Sequence, residues 1–356
     1  MSLARYNTSN YSSLLSNESV SSGQAKNTTV TWSVLTFFSI VTCISGIITN
    51  GTLLYFLISS RTLRTSFNIY LINLFIANLI CVSVLYPMDF LSNLHSSTWV
   101  LSNTACSAYL YVICVVEAGI YHSHLLIGMN RIWAVVHPMS YRSIHSARTA
   151  CLICLSMWIY IHLVAAPEMI LDTLYYRQPV ASYGCFINVG VLGTYDFLAE
   201  ILFFNLPHLV IVLAWPIVYV AKVRRERKHL LLIRKNAVEP VHTPGSGIPN
   251  SRTVRPELTN APATVPAIPI RIRKQKSHGF FLLTLLTVSV IICWTPIDVY
   301  YLLRNQNDSF NVPLYLQMGE ILFSLQTTLD PVIFAYATNH LRISGLFTSR
   351  SMIASN

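Results

Sequence analysis

Charge is what this chain has least of. Only 11% of its 356 residues are charged and just 14 are acidic, against 53% apolar and a mean hydropathy of +0.51. A water-soluble domain of that composition would have too little polar surface to cover itself, so this class is excluded. No lysine occurs between Lys26 and Lys222 or after Lys276. No internal repeat is visible, which argues against a transporter built from duplicated halves. No His-Glu metal pattern or Gly-Asp motif supports an intramembrane hydrolase. His122 and His124, two residues apart on one helix, point to different faces and are expected to be packed, hydrogen-bonded side chains. No apolar run follows Met1, so the first span is expected to act as its own signal.

What is abundant is long apolar sequence. Seven stretches, at 31–58, 67–92, 103–136, 149–171, 194–222, 277–303 and 311–337, each reach the roughly 20 residues an α-helix needs to cross a bilayer. Of the 24 Lys and Arg residues, 20 fall on one side of this alternation and only Arg5, Lys26, Arg177 and Arg304 on the other. The positive-inside rule then puts the N-terminus outside and the C-terminus inside. The net charge of +10 is therefore a cytoplasmic-face property that suits anionic membrane lipid and protein partners, with no nucleic-acid partner implied.

Residues 1–30 are Ser- and Asn-rich, with N-x-Ser/Thr sequons at Asn7, Asn10, Asn17 and Asn27, as expected of an extracellular glycosylated tail. A seven-span membrane domain is expected over 31–348 and a cytoplasmic tail over 349–356. Within that domain, 223–275 reads as a disordered cytoplasmic loop, Pro-, Thr- and Asn-rich between basic ends that extend the flanking helices. Six of the eight cysteines lie in or at the ends of spans, where a small buried hydrophobe is the expectation. Cys106 and Cys185 both face an oxidising compartment, and a disulfide between them is expected.

In order along the chain stand Asn50; Leu74 to Asn78; Trp99 and Cys106; Asn130-Arg131-Ile132 with His137-Pro138 and Tyr141; Trp158 and Pro167; Phe204 and Pro207; Cys293-Trp294-Thr295-Pro296; and Asp330-Pro331-Val332-Ile333-Phe334. Together these landmarks resemble the rhodopsin-like (class A) G-protein-coupled receptors over 35–348. The resemblance implies an all-α membrane protein at the plasma membrane: a seven-transmembrane helix bundle with an extracellular N-terminus and a short cytoplasmic amphipathic helix after the seventh span. It implies no enzyme activity and no cofactor, and as partners an extracellular ligand and a heterotrimeric G protein, met through Asn130 and Arg131. Asn50, Asn78 and Asp330 would form the family's mid-membrane polar site.

The departures are informative. The acid that usually precedes the arginine is Asn130, and the acid on the sixth helix is Lys276, so the inner ionic lock is missing on both sides. Asn78 and Asp330 exchange the family's Asp and Asn, keeping one carboxylate between them. Phe334 and Trp215 replace two tyrosines, so a hydroxyl-mediated contact between them cannot form. Ser324 stands at the retinal-lysine position, which excludes a Schiff base.

Acids inside a bilayer are costly and mark function. Spacing places Asp89, Glu117, Asp298 and Glu320 on inward faces of helices two, three, six and seven, converging on one cavity, with Trp294, Tyr300 and Tyr301 as aromatic faces for a cation. Glu168 and Glu200 read as interfacial. Ile113 stands where the family's amine-binding Asp would be, so distributed acids favour a basic peptide, or an amine bound in another way, as ligand. The alternatives are a transporter of a small cation and a constitutively active receptor without a dedicated ligand.

Overall fold

A computed structural model describes residues 32–95, 99–238, 278–306, 310 and 312–353. The four N-terminal sequons and the loop core at 239–277, with Lys276, lie outside these residues. All regular structure among the described residues is helical. Six helices are long and apolar enough to cross a membrane: Thr36–Ser59, Asn68–Leu94, Asn103–Val136, Ala147–Tyr176, Val191–Leu232 and Phe280–Gln306. A further helix, Pro313–Ile353, completes a seven-helix bundle. It carries Glu320, Gln326 and Asp330 in its spanning part. It runs on without a break through the stretch where a separate short helix was expected. The fifth helix likewise continues to Val238 through the basic run, as expected of that end of the loop.

Helix starts reflect local chemistry. Ser33, Ser102 and Ser146 each accept a hydrogen bond from the backbone N–H three residues on, at 3.1, 3.2 and 3.2 Å, satisfying a donor that the first turn leaves open. The third helix is the centre of the bundle: 78% of its apolar window is buried, against 22% for the first helix. Its close packing is written in Gly119, where an added Cβ would lie 2.5 Å from Cη2 of Trp158 on helix four. That indole donates to Asn73 Oδ1 at 2.8 Å, and Asn73 Nδ2 donates to Ser123 Oγ at 2.7 Å, stitching helices two, three and four. Each such interhelical bond contributes about 0.6 kcal/mol within a membrane.

Three spans contain a π turn: Cys81–Leu85 in helix two, Asp172–Tyr176 at the outer end of helix four and Ile201–Asn205 in helix five. Each adds one residue to a turn and rotates the rest of its helix relative to a regular α-helical path. At the outer face Cys106 and Cys185 are bonded, with Cα atoms 5.6 Å apart. Arg177 braces this bridge. Its guanidinium donates to Cys106 Sγ at 3.2 Å and pairs with the fully buried carboxylate of Asp172. Asp172 also accepts from the backbone N–H of Asn188 at 3.0 Å, which fixes the outer loop over the bundle.

Candidate functional site

The third helix offers Glu117 and Tyr121 to a cavity between the outer halves of the helices. Helix two supplies Asp89 and Tyr86, helix five Glu200 and Phe204, helix six Asp298 and Tyr301, and helix seven Glu320 and Phe323. The cavity has about 50 Å³ of room for water centres. That is space for several waters, since one needs at least about 10–15 Å³ on this measure. Five carboxylates reach its wall, and among the described lining residues there is neither lysine nor arginine.

The structure thus brings Asp89, Glu117, Asp298, Tyr301 and Glu320 together. Trp294 and Ile113 are not part of the wall. Trp294 is fully buried behind Tyr121, ring on ring at 3.8 Å and 22°, and Ile113 packs in the core. Tyr300 is also fully buried, beside Phe310 and Tyr315, and offers no face to the cavity. Glu200 corrects the expectation of an interfacial position: it is 3% exposed, lines the cavity and accepts from Asn305 Nδ2 at 2.5 Å. Glu168, 2% exposed, is buried as well. The cause at Glu200 is the π turn that begins at the next residue and changes the phase of helix five.

Two of the acids are tied to neighbours that sequence alone did not single out. Tyr109 donates to Asp89. Asp298 accepts from the Tyr121 hydroxyl at 2.8 Å through one oxygen and contacts His208 Nδ1 at 2.5 Å through the other.

Beneath the cavity lies a buried polar cluster around Asp330. Asn50 donates to the Thr327 carbonyl at 2.8 Å, and Asn78 donates to Asn50 at 3.2 Å and to Asp330 at 3.1 Å. Asp330 is also met by His124 Nε2 at 3.1 Å and by Gln326 Nε2 at 2.5 Å, and Gln326 in turn accepts from Ser289 at 2.6 Å. A carboxylate at this depth needs counter-donors, and the side chains around it supply them. His124 is therefore hydrogen-bonded, as is His122, whose Nδ1 lies 2.9 Å from the Ala118 carbonyl.

At the inner end, Asn130 is buried and lies 3.0 Å from His145 Nε2, and its carbonyl oxygen accepts from the Tyr141 hydroxyl at 3.3 Å. Arg131 packs its guanidinium over the Phe67 ring, 3.5 Å from the centroid. Among the described residues an aromatic face thus holds this cation. His145 lies outside the spans, and its imidazole is held below the ordinary histidine range, first by burial and then by nearby Arg131.

Comparison with known proteins matches residues 49–334 to the 7 transmembrane receptor (rhodopsin family). The chain is similar to cysteinyl leukotriene receptor 1 of Cavia porcellus, 24% identical over 57% of this chain and 60% of that receptor. It is similar to melatonin receptor type 1A of Mus musculus, 21% identical over 79% of this chain and 69% of that receptor. It also matches cysteinyl leukotriene receptor 2 of Homo sapiens, 29% identical over 44% of this chain and 45% of that receptor. The chain therefore spans about 60% of the length of the first of these relatives.

Proposed function

Because the chain belongs to the rhodopsin family of seven-transmembrane receptors, we propose that it is a plasma-membrane receptor for a cationic extracellular ligand that activates a heterotrimeric G protein. A basic peptide or a polybasic amine is the favoured ligand class. The observation that carries this reading is the cavity wall: Asp89, Glu117, Glu200, Asp298 and Glu320, with no lysine or arginine among the described lining residues. Ionised together in a low-dielectric site, these carboxylates repel one another, and a ligand with more than one positive charge relieves that repulsion best. Tyr301 adds an aromatic face to the same wall.

Coupling is assigned to the inner end of helix three. Arg131 lies 25 residues beyond Cys106, about 37 Å along the helix at 1.5 Å per residue, a separation that supports its meeting a G protein at the cytoplasmic face. The cytoplasmic loop at 223–275 and the glycosylated tail at 1–30 complete the proposed organisation. The test is a screen of monoamines, polyamines and short basic peptides, beside neutral and anionic lipids, on cells expressing the receptor with a panel of G proteins. A G-protein response to a cation supports the reading. A response confined to neutral or anionic compounds removes it.

A further inference from the structure

Helices three, five and six meet at a single carboxylate. Asp298 of helix six receives the Tyr121 hydroxyl of helix three on Oδ1 at 2.8 Å and faces His208 Nδ1 of helix five with Oδ2 at 2.5 Å. The His208 and Asp298 side chains are only 11% and 13% exposed. One turn below, Trp294 repeats the grip with its ring: its face stacks on Tyr121 at 3.8 Å, and the His208 ring stands nearly perpendicular to it at 6.2 Å and 88°. Two residues of helix six therefore hold the same two residues of helices three and five, once by hydrogen bonds and once by aromatic contact.

The fifth helix reaches this point through its π turn. Eight residues of regular α-helix would rotate His208 about 80° from Glu200, whereas one extra residue in the turn at Ile201–Asn205 brings the two to within about 20°. Glu200 then lines the cavity while His208 meets Asp298. With Arg131 folded over Phe67 in the same structure, the clamp is closed in a state whose inner arginine is also held.

We propose that His208 is a positioning residue that holds Asp298 in a clamp between helices five and six, so that Asp298 governs how far the receptor is switched on. Asp298 is thereby set apart from Asp89, Glu117, Glu200 and Glu320, although all five reach one wall. The signalling half of this proposal rests on the receptor reading above. The clamp itself does not.

The experiment is a double-mutant cycle on the full chain, with no ligand, using His208→Leu, Asp298→Leu and the pair, beside His208→Asn, whose amide donor takes the place of Nδ1. Melting temperature of the purified protein and basal nucleotide exchange in membranes are both measured at matched receptor amount. Asp298→Leu is expected to lower the melting temperature more than His208→Leu, since it also loses the Tyr121 bond, and the pair by no more than Asp298→Leu alone, because the His208–Asp298 contact is lost in all three. Basal exchange is expected to rise roughly tenfold in the leucine variants, the scale of one charge-assisted hydrogen bond, and His208→Asn is expected to stay near the wild type in both measurements. Additive melting shifts overturn the clamp, as does a His208→Leu protein with unchanged basal exchange where the wild type is measurably active. Exchange that is silent in every variant, with a coupled melting cycle, keeps the clamp and removes the receptor reading, so the two failures are told apart.

Discussion

Replacing Phe67 by leucine tests how a receptor without an ionic lock stays closed. Asn130 and Lys276 offer Arg131 no carboxylate, yet its guanidinium is packed 3.5 Å from the centre of the Phe67 ring. An arginine over an aromatic face is worth about 0.5–1 kcal/mol at an exposed site and about 2 kcal/mol when desolvated. Arg131 is only partly exposed, with its Nε buried and unpartnered, so the upper half of that range applies. A loss of about 1–2 kcal/mol from the resting state alone shifts a two-state ratio by roughly 5- to 30-fold. Leucine retains apolar bulk and removes the quadrupole, so Phe67→Leu is expected to raise basal nucleotide exchange by that factor at equal surface expression. Basal exchange at or below the wild-type level would refute the reasoning.

Neighbouring contacts give further expected outcomes. Asn130→Asp places a carboxylate beside Arg131 and is expected to lower basal exchange in the same membranes; an unchanged or higher signal counts against a lock role for this position. His145 has its folded-state pKa below the unfolded value of about 6.5, so the stability tied to its neutral form is fully present above that pH and is lost as pH falls through the folded value. The protection factors of the 137–146 amides, corrected for the intrinsic exchange rate at each pH, are expected to fall on acidification, and His145→Gln to flatten that response. Gly119→Ala puts a Cβ 2.5 Å from the Trp158 ring and is expected to reduce surface expression sharply, with partial recovery in a Trp158→Phe background.

Much of the architecture was legible because a bilayer narrows the choices. Asp89, Glu117, Asp298 and Glu320 could be placed together from sequence, since an acid within a span is driven to the bundle interior and helical period decides which acids share a face. Cys106 and Cys185 were legible because compartment restricts which thiols oxidise. Glu200 reads as interfacial from its place near the outer end of helix five, and no residue in Ile201–Asn205 announces the π turn that follows it. The sequence singles out nothing at His208, and for His124 it implies a hydrogen bond without naming the partner. Their partners, Asp298 and Asp330, lie 90 and 206 residues away, and no local spacing encodes a contact across that distance. Trp294 was read as a cavity face, but Tyr121 covers it, and which of two aromatic rings fronts the space is a matter of packing that the sequence does not carry.

The central claim, that this cavity reads positive charge, is tested most directly by agonist potency in the amide variants Asp89→Asn, Glu117→Gln and Glu320→Gln, measured beside surface expression. The probe is the most potent cation found in the screen. Each variant keeps size and shape and removes a charge, so potency is expected to fall about ten- to a hundred-fold while expression is held, the cost of losing a charge-assisted hydrogen bond of about 1.5–3 kcal/mol. Unchanged potency with reduced expression in all three variants would mean that these acids only satisfy one another, and would contradict the claim.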